Sequence, residues 1–122
     1  MLPVPLAAVA SQTLSVALAG QACELALYQR GAGAAAALYL DLTANGSAIL
    51  TGRRVRAYGG LPATRAAFML SGRRYLGFSG DLVFLDTQAS HSQPTEDPQP
   101  SGLGARWQLL YLSAADLAAA GL

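Results

Sequence analysis

A chain of 122 residues is sized for one domain, long enough to bury roughly two-thirds of its unfolded surface without staples. Its formal charge of +1 excludes the clustered basic surplus of a general nucleic-acid binder, and its single cysteine excludes a disulfide framework. Charged residues make up 12% of the chain, against about 25% in typical domains, while apolar residues reach 52%. So few charges give sparse cover for a free monomer, which predicts that part of the surface is buried against partners. The competing reading is that abundant Ala and Gly raise the apolar count without creating sticky patches.

The run from Leu2 to Ala22 is apolar and ends in small residues, as a secretory leader does. It lacks a basic leading segment, and Pro3, Pro5, Ser11, Gln12, Thr13 and Ser15 interrupt it, so it is expected to be retained. No stretch approaches the ~20 apolar residues of a membrane-spanning helix, and no membrane partner is expected. Instead, Leu14, Val16 and Leu18 alternate with Thr13, Ser15 and Ala17. After Gly20-Gln21 the alternation resumes with Cys23, Leu25 and Leu27, predicting a hairpin with one buried face. Cys23 falls on that face and is expected to act as a small buried hydrophobe.

Gly31 to Ala37 reads as a low-complexity connector that lacks the third Gly and the helix of a dinucleotide site. Leu38, Leu40 and Leu42 then alternate with Tyr39, Asp41 and Thr43, Asn45-Gly46 supplies a strong two-residue turn signal, and Ser47 to Val55 returns. This is the second predicted hairpin. Arg53, Arg54 and Arg56 close it, and Arg65, Arg73 and Arg74 follow around the Gly/Pro-broken segment Tyr58 to Ser71. These arginines suit a patch that pairs with carboxylates or phosphates, or, more simply, strand-end charges that keep sheet edges from pairing. Ala63 to Leu70 fits either one or two helical turns or a strand.

Tyr75 to Phe78 and Leu82 to Leu85 flank Ser79-Gly80-Asp81, and this third hairpin, the most aromatic and β-branched part of the chain, is expected to form the middle of a sheet. Ala89 to Gly104 is rich in Ser, Pro and Gly and carries the only histidine, His91, so it reads as an exposed loop at about 89–104 with the character of an extended arm. Deleting such an arm is expected to leave the domain folded. Arg106 to Leu112 is a strand with apolar groups on both faces, Trp107, Leu109 and Tyr111 on one and Leu110 and Leu112 on the other. Ser113 is placed to cap a short helix from Ala114 to Ala120.

These elements predict a single all-β domain, a small antiparallel barrel or sandwich of six or seven strands with a short C-terminal helix. No catalytic, cofactor-binding or metal-binding residue is assigned. Gly77-Phe78-Ser79-Gly80-Asp81 resembles a nucleophile elbow only loosely, because its second Gly is one position early and its context is a hairpin. His91 has no companion at metal spacing, and Asp81 and Asp86 are expected to be turn and strand-end residues, with a paired-carboxylate site that includes Asp41 as the lesser reading.

A set of runs in order along the chain carries a resemblance. They are Pro5 with Ser11-Gln12-Thr13-Leu14, Val16, Leu18 and Gly20-Gln21; Leu38-Tyr39-Leu40-Asp41-Leu42 with Asn45-Gly46; Tyr75-Leu76-Gly77-Phe78 with Gly80-Asp81-Leu82-Val83-Phe84 and Asp86-Thr87-Gln88; and Gly102-Leu103-Gly104, Arg106 and Tyr111-Leu112. Together they resemble the baseplate plug proteins of contractile-tailed bacteriophages, of the cyanophage type, and depart from them at Ala32 to Ala37, at Arg53 to Arg74 and in a longer Pro-rich loop. The resemblance implies a non-enzymatic virion protein without cofactors, a plug near the hub and the end of the tail tube. It implies other baseplate proteins as partners, the hub and tube end with wedge or spike as further candidates, in several copies, with no specific nucleic acid. It also implies a place in the virion tail, reached from the host cytoplasm during assembly. The alternative that composition supports is a small β-barrel module for an apolar ligand.

Overall fold

In the computed structural model, which describes residues 2–18, 20–31, 36–58, 69–70, 80–88 and 96–119, eight strands form two four-stranded sheets. The first sheet is a meander of β2 (Ser11–Leu18), β3 (Gln21–Arg30), β4 (Ala37–Ala44) and β5 (Ser47–Arg54), each antiparallel to the next. Alternation dictates it: in β2 and β3 one face carries Leu14, Val16, Leu18, Cys23, Leu25 and Leu27, and pairs such as Leu14 with Leu25 and Val16 with Cys23 keep these side chains in one row. Asn45 and Gly46 both have positive φ, 50° and 82°, as the type I′ turn between β4 and β5 requires. Opposite Asp41 the β4–β5 register shifts. The Asp41 carboxylate accepts the Gly52 N–H at 2.6 Å and the Tyr28 hydroxyl at 2.9 Å, so it satisfies groups that the regular ladder leaves over.

The second sheet has the order β1 (Leu2–Val4), β8 (Trp107–Leu112), β7 (Asp81–Asp86), β6 (Ala57–Tyr58). β7 lies inside it, antiparallel to β8 and parallel to β6, with Leu82, Val83 and Phe84 at most 3% exposed. This is the central placement expected for Leu82 to Leu85. The other predicted arm, Tyr75 to Phe78, lies outside the described residues, as do His91, Arg65, Arg73, Arg74 and all of Ala63 to Leu70 except Met69 and Leu70. Gly80 enters β7 at φ +93°, where an added Cβ would strike the Leu112 carbonyl oxygen and the Tyr111 ring, so this position admits only glycine.

The sheets pack face to face. Leu25, Leu40 and Leu42 of the first meet Phe84, Leu109 and Tyr111 of the second in one continuous core, and burial of this apolar surface is the main stabilising term. Of the two predicted architectures, barrel or sandwich, the described residues form the sandwich, since no strand of one sheet pairs with a strand of the other. The strand count exceeds the expected six or seven because β1 and β6 are only three and two residues long, too short for a period-two signal. They exist by pairing with β8 and β7.

The helix α1 (Ala114–Ala119) covers the outer face of the second sheet, packing Leu117 on Val83 and Leu110. This is why β8 is apolar on both sides. Ser113 caps the helix reciprocally with Asp116: the Asp116 N–H donates to Ser113 Oγ and the Ser113 N–H donates to Asp116 Oδ2, both at 3.1 Å.

Candidate functional site

Asp86, the last residue of β7, carries a side chain with no exposed surface at a place where only charge-paired carboxylates are stable. Arg106 supplies the pair: Nε donates to Oδ1 and Nη2 to Oδ2, each at 2.9 Å, a two-pronged contact that a guanidinium's planar fork is shaped to make. The backbone N–H groups of Gln88 and Glu96 add 3.1 and 3.2 Å bonds to the same two oxygens. Arg106 Nη1 reaches Glu96 Oε2 at 3.0 Å, and its guanidinium lies 4.7 Å from the centre of the Trp107 ring, in cation–π range. The Trp107 indole N–H then donates to the Glu96 carbonyl at 3.0 Å. Thr87 closes the junction, its N–H and hydroxyl both donating to the Arg106 carbonyl at 2.8 Å, which continues the β7–β8 ladder one step.

This junction explains why polar residues end β7. Burial alone would push the Asp86 carboxyl up; the Arg106 hydrogen bonds, followed by those from the Glu96 and Gln88 N–H groups, outweigh it and hold the carboxyl below the ordinary carboxylate range. With both oxygens fully engaged, Asp86 has no lone pair aimed at a substrate. The cluster fastens the 96–106 segment to the end of the β7–β8 ladder. Gly102 belongs to the same fitting, since a Cβ there would enter the Trp107 ring.

Within the stretch read as an exposed loop, Glu96, Asp97, Gln99, Ser101 and Gly104 are exposed, while Pro98 and Leu103 are buried. Residues 96–104 are therefore docked on the second sheet and are not a free arm. The anchoring runs through contacts ten or more residues apart, which local composition cannot reveal.

The other residues weighed from sequence fall in separate places. Asp81 is buried at the start of β7, where its Oδ1 accepts the Leu70 and Leu82 N–H groups at 2.8 Å. Asp86 lies five positions further along the strand, roughly 16 Å away, and the odd spacing sends the two side chains to opposite faces. Asp41 belongs to the other sheet. The three carboxylates thus form no paired-carboxylate site, and each serves the backbone around it. Cys23 is buried, and burial pushes its thiol up, which suits the expected small hydrophobe and not a nucleophile. Arg53 and Arg54 sit on β5, an edge of the first sheet, and Arg54 pairs with Asp97 at 3.5 Å with both side chains about half exposed, a contact of small energetic weight. Among the described residues no cluster of His, Cys, Asp or Glu could hold a metal ion, and no buried side-chain polar atom lacks a partner. A depression of about 580 Å³ lies across β2, β3 and the β4–β5 turn, lined by Ser15, Val16, Ala22, Cys23, Glu24 and Asn45.

Among the described residues, two four-stranded sheets packed as a sandwich define the class by architecture: a β-rich module. The chain belongs to the cyanophage baseplate plug family, matching the model described as "Cyanophage baseplate Pam3 plug gp18" over residues 1–114. No curated protein matches it. The family makes this a bacteriophage baseplate component with a structural role, associated with other baseplate components in the virion tail.

Proposed function

We propose that this protein is a non-enzymatic plug that sits near the hub and the end of the tail tube and helps close or join the baseplate until contraction. The single observation that carries the reading is the family match across residues 1–114, which takes in both sheets and the Asp86–Arg106 junction. Two features support it. Along the β2 edge the outer face of the first sheet presents Ser11, Thr13, Ser15 and Ala17 as exposed residues, an uncharged row that suits burial against neighbouring chains. Asp41, Asp81 and Asp86 are each bound to groups of the fold and the Cys23 thiol is buried, so these groups are engaged in holding the sandwich together.

In this role the module is assembled in the host cytoplasm and then fixed among hub, tube-end and wedge or spike proteins in several copies. The rival reading, a barrel around an apolar ligand, requires an open interior, whereas the space between these sheets is filled by Leu25, Leu40, Leu42 and Phe84, each without exposed surface. Quantitative peptide mass spectrometry on purified tails tests the plug directly. A fixed ratio of a few copies per tail, relative to tube and hub proteins, is the expected result, and absence from the particles would overturn the proposal.

A further inference from the structure

Four strand edges bound the two sheets, and three of them are guarded in recognisable ways. β1 is three residues long and contains Pro3, β6 is two residues long, and β5 is interrupted by the register shift opposite Asp41 and ends in Arg53 and Arg54. β2 is different. It runs eight residues, Ser11–Leu18, with no charge, no Pro and no shift in its pairing with β3. The Ala10 carbonyl accepts the Gln29 N–H, so by the alternation of antiparallel ladders the even-numbered residues of β2 face β3. The N–H and C=O groups of Ser11, Thr13, Ser15 and Ala17 point the other way. All four residues are exposed and, among the described residues, nothing pairs with their backbone groups. On the inner face beside this edge Leu14 and Val16 are only half-buried, an apolar row that one more strand would cover.

We propose that β2 is the self-association edge of this protein and that its partner is the β2 strand of a second copy, joined antiparallel about a two-fold axis. The strand is complementary to itself. With Leu14 opposite Leu14, Thr13 faces Ser15 and Ser11 faces Ala17 in an uncharged outer row, Gln12 flanks the Leu14 pair opposite Val16 on the inner row, and the two first sheets become one of eight strands. The hydrogen-bonded pairs of that register are the odd-numbered residues, the ones whose groups have no ladder partner among the described residues. A head-to-tail ring through β2 and β5 is disfavoured by the register shift and the Arg53 and Arg54 charges on β5.

The test combines sedimentation of the full-length protein with amide hydrogen exchange. The expected species at micromolar concentration has twice the 12.5 kDa chain mass, and the Thr13, Ser15 and Ala17 amides exchange as slowly as those of Leu14 and Val16. Thr13→Lys with Ser15→Lys places like charges opposite each other only in the pair, so this variant is expected to halve the mass and leave the melting temperature of the monomer intact. A monomer whose odd-numbered amides exchange fast overturns the proposal, and so does a dimer in which they exchange fast. Exchange in the unmodified protein decides the matter even if the double variant fails to fold. The proposal goes beyond the plug reading and is tested apart from it: a monomer leaves the tail stoichiometry untouched, and absence from tails leaves the β2 pairing untouched.

Discussion

Four N–H donors converge on the two oxygens of Asp86, so the fold favours its ionised form over the protonated one. A carboxyl held below its ordinary value of 3.8 binds its proton later than the unfolded chain does as pH falls. Its contribution is therefore fully present above about pH 4 and is lost as pH drops through the depressed native value. Urea unfolding across that range is expected to show an acid limb that becomes shallower in Asp86→Asn, with stability near neutral pH reduced by about 2 kcal/mol as one charged partner is lost. An acid limb of unchanged slope would mean that other carboxyls carry the acid sensitivity. Gly46 isolates a second effect. An added Cβ meets nothing within 4 Å, so Gly46→Val costs only the strain of a β-branched residue at φ +82°. The expected loss is about 1–2 kcal/mol, read as a drop of several degrees in melting temperature, and an unchanged midpoint would remove the type I′ assignment.

At the scale of elements, what was legible in the sequence is what local periodicity writes. The β2–β3 and β4–β5 hairpins follow from alternation around short turns, Ser113 from its place before an Ala-rich run, and the two-sided burial of β8 from its two apolar rows. β1 and β6 were not legible, because two or three residues carry no period and Pro3 argues against a strand until β8 is there to pair with it. The 96–104 segment misled for a related reason. Its Pro, Ser and Gly content describes an exposed loop, while the contacts that dock it, from Arg106 and Trp107 to Glu96, span ten and eleven residues. The polar run Asp86-Thr87-Gln88 stood out only through the family resemblance. Its partnership with Arg106 has no sequence signal short of knowing that β7 and β8 are neighbours. Asp41 is similar: its residue type suggests a carboxylate with chemistry, and only the register shift on β5 shows that it is spent on the Gly52 N–H and the Tyr28 hydroxyl.

In the whole molecule the second sheet is shared between two unequal cores. One lies between the sheets and draws on nearly every strand; the other holds Val83, Leu110 and Leu117 beneath the helix. The family match over residues 1–114 takes in both sheets, and α1 is laid on the outside of the second sheet. This ordering predicts unequal costs for the same chemical change. Leu40→Ala removes a fully buried side chain from the interior between two sheets, where the surroundings cannot close the gap, and is expected to cost about 3–5 kcal/mol. Leu117→Ala removes one from a thin layer at the surface, where the short helix can settle inward or water can enter, and is expected to cost about 1–2 kcal/mol. Urea midpoints compared at equal slope measure both. Equal losses would mean that α1 is as much a part of the cooperative unit as the strands are, and that the sandwich does not stand without it.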